Sequence, residues 1–156
     1  MSNTFTRSGM GSEPRRNRRS LGFKQKGPNS YILLIRWDIG DKGFEMQLSG
    51  EVPARLRETL ARPDVQRELF GEAGPPPLLA VHAGGRSVLD AVEHALGVDP
   101  DTLADSRAVL ARFGNMSSAT ILFVLADMMA RGASGEGVAI AFGPGLAAEA
   151  IGFTAS

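Results

Sequence analysis

The chain has 156 residues, 43% of them hydrophobic, with 17 basic and 17 acidic side chains. That length suits one domain, and its 19 glycines and 9 prolines stay below the share that marks low-complexity disorder, so a core can form. Zero net charge argues against a whole-domain nucleic-acid or membrane-surface binder. The absence of cysteine excludes disulfides, thiolate metal sites and a cysteine nucleophile within these residues.

The balance of charge hides an asymmetry. Residues 1–30 carry seven basic groups against Glu13 alone, a net of +6, whereas residues 31–156 carry 10 basic and 16 acidic groups. The first thirty residues hold almost no aliphatics and cannot bury enough apolar surface to offset ordering entropy. They are predicted to be a disordered basic arm, a solvated tail rather than a nucleic-acid contact. The run Arg15-Arg16-Asn17-Arg18-Arg19 suggests a twin-arginine export signal, but the apolar stretch and cleavage site such a signal needs do not follow. The apolar run Ile32–Ile35 stops at Arg36, far short of a membrane span, and a cytoplasmic protein is expected.

From residue 31 the pattern is regular. Tyr31–Trp37 reads as a short strand and Asp38–Gly43 as a turn. Phe44, Met46 and Leu48 alternate with polar residues, the period of a half-buried strand. Pro53 opens a helix, and Leu56, Leu60, Val65 and Leu69 continue helical spacing to Phe70, broken near Pro63. Gly74–Pro77 is a rigid connector into the apolar run Leu78–Val81, a buried strand. A helix with Val88, Leu89, Val92, Ala95 and Leu96 on one face stops at Gly97. Asp99 and Pro100 start a short helix through Leu110. Asn115–Ser118 precede a helix over Ala119–Arg131, so apolar that burial on most sides is predicted. Strands follow at Val138–Phe142 and Ala150–Phe153, around Gly143-Pro144-Gly145. Strands and helices in this order predict a layered α/β domain.

No dinucleotide or P-loop fingerprint is present. With His82 and His94 as the only histidines and no cysteine, no metal site is expected. His94 stands mid-helix beside Glu93 and reads as solvent-facing. His82 ends a buried strand, where α/β sheets place ligand-binding groups, and Gly84 and Gly85 after it allow a ligand close to the backbone. Asn115 precedes the most apolar helix, beside Ser117 and Ser118. On pattern alone two readings stand for this pair: ligand-facing groups, or a core histidine and a helix cap.

Several segments together resemble the C-terminal half of the type III polyketide synthases, the chalcone and stilbene synthase family. They are Trp37-Asp38-Ile39 with Gly43-Phe44, Glu51-Val52-Pro53, Val81-His82-Ala83-Gly84-Gly85 with Leu89-Asp90-Ala91, Gly114–Ala119, and Phe142–Leu146. The 33-residue gap from His82 to Asn115 also fits. The resemblance implies half of a thiolase-like α/β/α fold with a mixed sheet over residues 31–156. It also implies decarboxylative condensation of malonyl-CoA with an acyl-CoA starter, CoA thioesters as substrates and no cofactor. The family works with a Cys–His–Asn set, and His82 and Asn115 match two of the three. By the same match Gly84, Gly85 and Ser87 line the pantetheine tunnel. Gly143, Pro144 and Gly145 match the loop shaping the cyclisation cavity, Ser117 falls among the tunnel and cavity residues, and Met46 stands at a gatekeeper position.

The departures carry equal weight. Ala83 and Arg86 replace the two prolines of the usual His-Pro-Gly-Gly-Pro, and Met46 replaces a gatekeeping phenylalanine of plant members. The cysteine-bearing N-terminal half has no counterpart in these residues, so the chain is expected not to condense by itself. Three roles follow: an acyltransferase domain incompetent alone, half of a split enzyme completed by a separate chain that supplies the cysteine half, or a non-catalytic partner protein; a partner chain or a homodimer is the expected assembly. Ketoacyl carrier-protein synthases share the fold and a His/Asn pair, but the Met-Ser-Ser run after Asn115 favours the polyketide synthases.

Overall fold

The computed structural model describes residues 5–6, 18–21, 35–40, 43–143 and 147–156, with side chains from residue 49 onward. Strands β3 (Ile35–Gly40) and β4 (Gly43–Leu48) form an antiparallel hairpin of their own. Phe44, Met46 and Leu48 fall in β4 as their alternation predicts. β3 instead runs through Asp38 and Ile39, which the sequence assigns to a turn. Ile39 pairs with Phe44 and Gly40 with Gly43, so cross-strand pairing overrides local turn chemistry at these positions.

Prolines open both α1 (Val52–Leu60) and α2 (Pro63–Phe70), where a missing N–H costs nothing. All four residues of β5 (Leu78–Val81) are buried. Helix α3 (Arg86–Leu96) ends on Gly97 at φ 62°, the left-handed stop that glycine permits. The Asp99 carboxylate accepts the Asp101 N–H at 2.9 Å and opens a 3-10 turn, Pro100–Leu103. Helix α4 (Ala104–Phe113) then runs three residues beyond the predicted end. A second 3-10 turn, Ser117–Ala119, leads into α5 (Thr120–Ala130). Strands β6 (Gly135–Phe142) and β7 (Ala148–Ala155) exceed their predicted lengths because they pair with each other throughout.

The main sheet is mixed: β5 is parallel to β6, and β6 is antiparallel to β7. On the far side of β7 pair two short strands, β1 (Phe5–Thr6) and β2 (Arg18–Leu21). Both belong to the segment predicted as a disordered arm, whose remaining residues lie outside the described set. The unpaired edge of β7 offers these pieces backbone hydrogen bonds, a force that composition does not register.

Side-chain alternation along the sheet divides the core. Leu79, Val81, Ile140, Ala148 and Ala150 face α1, α2 and α3, while Leu78, Ala80, Phe153 and Ala155 face α4 and α5. The result is an α/β/α sandwich. One prediction fails here. Only Thr120, Val124 and Met128 of α5 are buried, and Leu122 and Phe123 are 64% and 42% exposed. Among the described residues α5 is covered by the sheet and by α4, and the remainder of this apolar helix is left open. No helix among the described residues is long and apolar enough to cross a membrane.

Candidate active site

His82 extends β5 by one rung: its backbone N–H donates to the Ile140 carbonyl at 2.8 Å. The chain then doubles back, the Gly84 N–H donating to the His82 carbonyl at 2.9 Å, while Ala83 is wholly buried beneath. A Cβ added at Gly84 would lie 3.8 Å from His82 Cδ2 and 3.8 Å from Nε2, so the imidazole rests against the Gly84 backbone. The His82 ring is half-buried and its nitrogens make no hydrogen bond among the described residues. Burial pushes its pKa below the ordinary 6.5, which keeps the imidazole neutral at neutral pH, with one N–H to donate.

Asn115 arrives at the same glycine from the other core layer. Gly114 ends α4 at φ 70° and ψ −163°, a conformation open only to glycine. Asn115 follows. Its Oδ1 accepts the Ser117 N–H at 2.9 Å, and Ser117 is the one non-glycine residue among the described residues with positive φ, 57°. Asn115 therefore closes a local turn rather than capping α5. The buried Thr120 hydroxyl holds the next residue by accepting the Met116 N–H at 2.9 Å. With Oδ1 so fixed, Nδ2 points across to the Gly84 carbonyl and donates to it at 3.2 Å. The second N–H of that amide has no partner among the described residues.

His82 and Asn115, 33 residues apart, thus converge on Gly84 at the C-terminal edge of the sheet. The other predicted site residues distribute around them. Gly143 follows β6, and because β5 and β6 are parallel it lies at the same sheet edge, its N–H donating to Ala147 O at 2.9 Å. Gly85 is the N-terminal boundary of α3, and Ser87 is exposed in that helix's first turn. Ser117 is exposed beside Asn115. Met46 pairs with Trp37 in the β3–β4 hairpin, and its side chain falls outside the described set, as do Pro144 and Gly145. His94 is solvent-exposed as expected. Among the described residues no three His, Cys, Asp or Glu side chains cluster in a metal-binding arrangement.

One supporting residue escapes sequence reasoning. Ser106 is fully buried, and its hydroxyl accepts the Val81 N–H at 3.1 Å, on the side of β5 away from β6. It closes the sheet edge immediately before His82. Its signal was a lone hydroxyl at the helical spacing of Leu103 and Val109. Ion pairs then brace the helices. Arg107 bridges α4 to Asp90 and Glu93 of α3 at 2.6 Å each. Arg112 pairs with Asp127 of α5, and Arg131 with Asp105 at 2.8 Å.

The family of chalcone and stilbene synthases, C-terminal domain, matches residues 25–155. The 1,3,6,8-tetrahydroxynaphthalene synthase of Streptomyces coelicolor is 35% identical over 146 residues, covering 86% of this chain and 38% of that protein. The bisdemethoxycurcumin synthase of Oryza sativa is 44% identical over 80 residues, 46% of this chain and 20% of that one. Among solved structures, PKS-I of the brown alga Ectocarpus siliculosus superposes with a TM-score of 0.73 at 26% identity. The match covers 88% of this chain and 38% of the algal one. The chain spans well under half the length of these relatives.

Proposed function

The chain belongs to the chalcone and stilbene synthase family through its C-terminal domain, and from that membership we propose that it provides the enolate-stabilising half of a type III polyketide synthase site. Loss of CO2 from a malonyl thioester leaves its electron pair in an enolate, with negative charge on the thioester oxygen. Two N–H donors aimed at that oxygen lower the barrier, a single such donor contributing about 2.7–4 kcal/mol. The neutral His82 imidazole and the second N–H of the Asn115 amide are the two donors. Their convergence on Gly84 is the observation that carries this reading.

The next step needs an acyl group held as a thioester. The enolate carbon attacks the acyl carbonyl, the new C–C bond forms and a thiolate leaves. No cysteine occurs in these 156 residues, so that thiol comes from outside them. On this reading the chain works with a cysteine-bearing segment supplied from elsewhere.

The test has two arms. The chain alone, given malonyl-CoA and an acyl-CoA starter, is expected to form no polyketide and to release CO2 slowly. Mixed with a separately produced N-terminal half from a family member, it is expected to condense, and His82→Ala or Asn115→Ala should abolish product. Product from the lone chain, or complemented activity indifferent to both substitutions, would overturn the assignment.

A further inference from the structure

Among the described residues two polar side chains are wholly buried, Ser106 and Thr120. Taking a hydroxyl out of water is offset only by a hydrogen bond, so the partner of each shows what its burial achieves. Ser106 Oγ accepts the N–H of Val81 at 3.1 Å, and Val81 immediately precedes His82. Thr120 Oγ1 accepts the N–H of Met116 at 2.9 Å, and Met116 immediately follows Asn115. Both buried hydroxyls therefore grip backbone one residue away from the two groups that meet at Gly84.

The two grips belong to one layer of the fold. Ser106 stands in the first turn of α4, and the same helix ends at Gly114, so the element that holds Val81 carries Asn115 at its far end. Thr120 opens α5, whose Val124 and Met128 share a core cluster with Val109 of α4. The ion pairs Arg112–Asp127 and Arg131–Asp105 tie the two helices together from outside. The turn around Asn115 is also strained, because Ser117 adopts φ 57°. Such backbone persists where its surroundings over-determine it. Two bonds do so here, from the Ser117 N–H to Asn115 Oδ1 at 2.9 Å and from the Met116 N–H to Thr120. The turn so held aims Asn115 Nδ2 at the Gly84 carbonyl.

We propose that Ser106 and Thr120 are positioning residues, which through the α4–α5 layer fix the His82 ring and the Asn115 amide at the mutual spacing that one thioester oxygen requires. That oxygen rests on the function proposed above; the anchoring of the two side chains at Gly84 does not. Two donors serve one oxygen only if each lies about 2.7–3.1 Å from it, and a misplacement of about 1 Å costs about a hundredfold in rate. A hydroxyl that touches no substrate thus controls the rate through a backbone shift of that size.

Four variants of the full chain test this. Ser106→Ala and Thr120→Val each delete a hydroxyl with little change of volume, and Thr120→Ser keeps one. Val65→Ala alters α2 in the other core layer. Magnetic resonance of the labelled chain follows the His82 ring protons against Gly84 and the solvent exchange of the Asn115 side-chain amide. Ser106→Ala should shift the His82 ring signals and weaken their contact with Gly84. Thr120→Val should speed exchange of the Asn115 amide, and Thr120→Ser should retain the wild-type pattern. Val65→Ala should lower the melting temperature and move neither signal.

In the complemented assay described above, kcat for malonyl-CoA decarboxylation should fall about ten- to a hundredfold in Ser106→Ala and Thr120→Val, with KM within about twofold. Thr120→Ser should stay near wild type. Unchanged signals in both hydroxyl deletions, loss of the Asn115 pattern in Thr120→Ser, or equal effects from Val65→Ala would overturn the proposal. Signals that move as stated in a protein that never releases CO2 would sink the proposed chemistry and leave the anchoring of His82 and Asn115 standing.

Discussion

The side-chain amide of Asn115 bridges the two core layers by donating to the carbonyl of Gly84 at 3.2 Å, while its oxygen holds the Ser117 N–H at 2.9 Å. One residue therefore fixes both the turn before α5 and the loop after β5. Asn115→Ala removes both bonds at an exposed site and is expected to cost about 1–2 kcal/mol. Asn115→Asp keeps the acceptor for Ser117 and loses the donor for Gly84. It should recover the stability of the turn without recovering complemented condensation. Denaturant midpoints for the two variants, beside product formation, separate these roles.

His82 titrates with a sign that follows from its burial. Its folded pKa lies below 6.5, so the unfolded chain binds the proton more readily. Stability owed to this group is therefore full above pH 6.5 and falls as the pH drops from there toward the folded pKa. His82→Gln should flatten that acid-side loss. Urea midpoints of both proteins at about pH 7.5 and about pH 5.5 measure it, and parallel curves would contradict the burial effect.

Ser106 is the sole described acceptor for a buried N–H at the edge of β5. Ser106→Ala leaves the Val81 amide unsatisfied and should cost about 1–3 kcal/mol. Hydrogen exchange at Val81 should accelerate more than at Ala80, whose N–H faces β6. Equal protection in the variant would show that another group closes the edge.

Gly137 faces Phe153 across the β6–β7 ladder. A Cβ at 137 would sit 2.2 Å from Phe153 Cζ, with the ring 7% exposed and unable to leave the core cheaply. Gly137→Ala should destabilise by about 1–3 kcal/mol through overpacking. In the Phe153→Leu background the same change should cost less. A double-mutant cycle reads that coupling directly, and additive costs would refute the contact.

Phe113 packs on Phe123 at 5.2 Å between ring centroids, and both rings are exposed, as is Leu122. An open apolar face of this kind drives association. Sedimentation of the chain is expected to depend on concentration, and Leu122→Glu with Phe123→Glu should remove that dependence without loss of helix signal. Concentration-independent monomers of the unmodified chain would contradict it.

Elements with strong local chemistry were legible from the residues alone. Pro53 and Pro63 opened helices, Gly97 closed one, and the apolar run Leu78–Val81 became a buried strand, because capping, φ restriction and side-chain period act within a few residues. Strand ends were not, since β6 and β7 extend as far as a partner strand accepts their hydrogen bonds.

The site divides the same way. His82 at a strand end and Asn115 beside glycine were visible as candidates, and the family motif joined them. Their meeting at Gly84 depends on the turn after α4 reaching the loop after β5, a contact between residues 31 apart that no local pattern encodes. Ser106 became visible only once the helices were packed. Whether a serine is buried depends on neighbours far away in the chain. Composition made α5 apolar throughout. Tertiary packing decided that the sheet and α4 cover part of it and that Leu122 and Phe123 remain open.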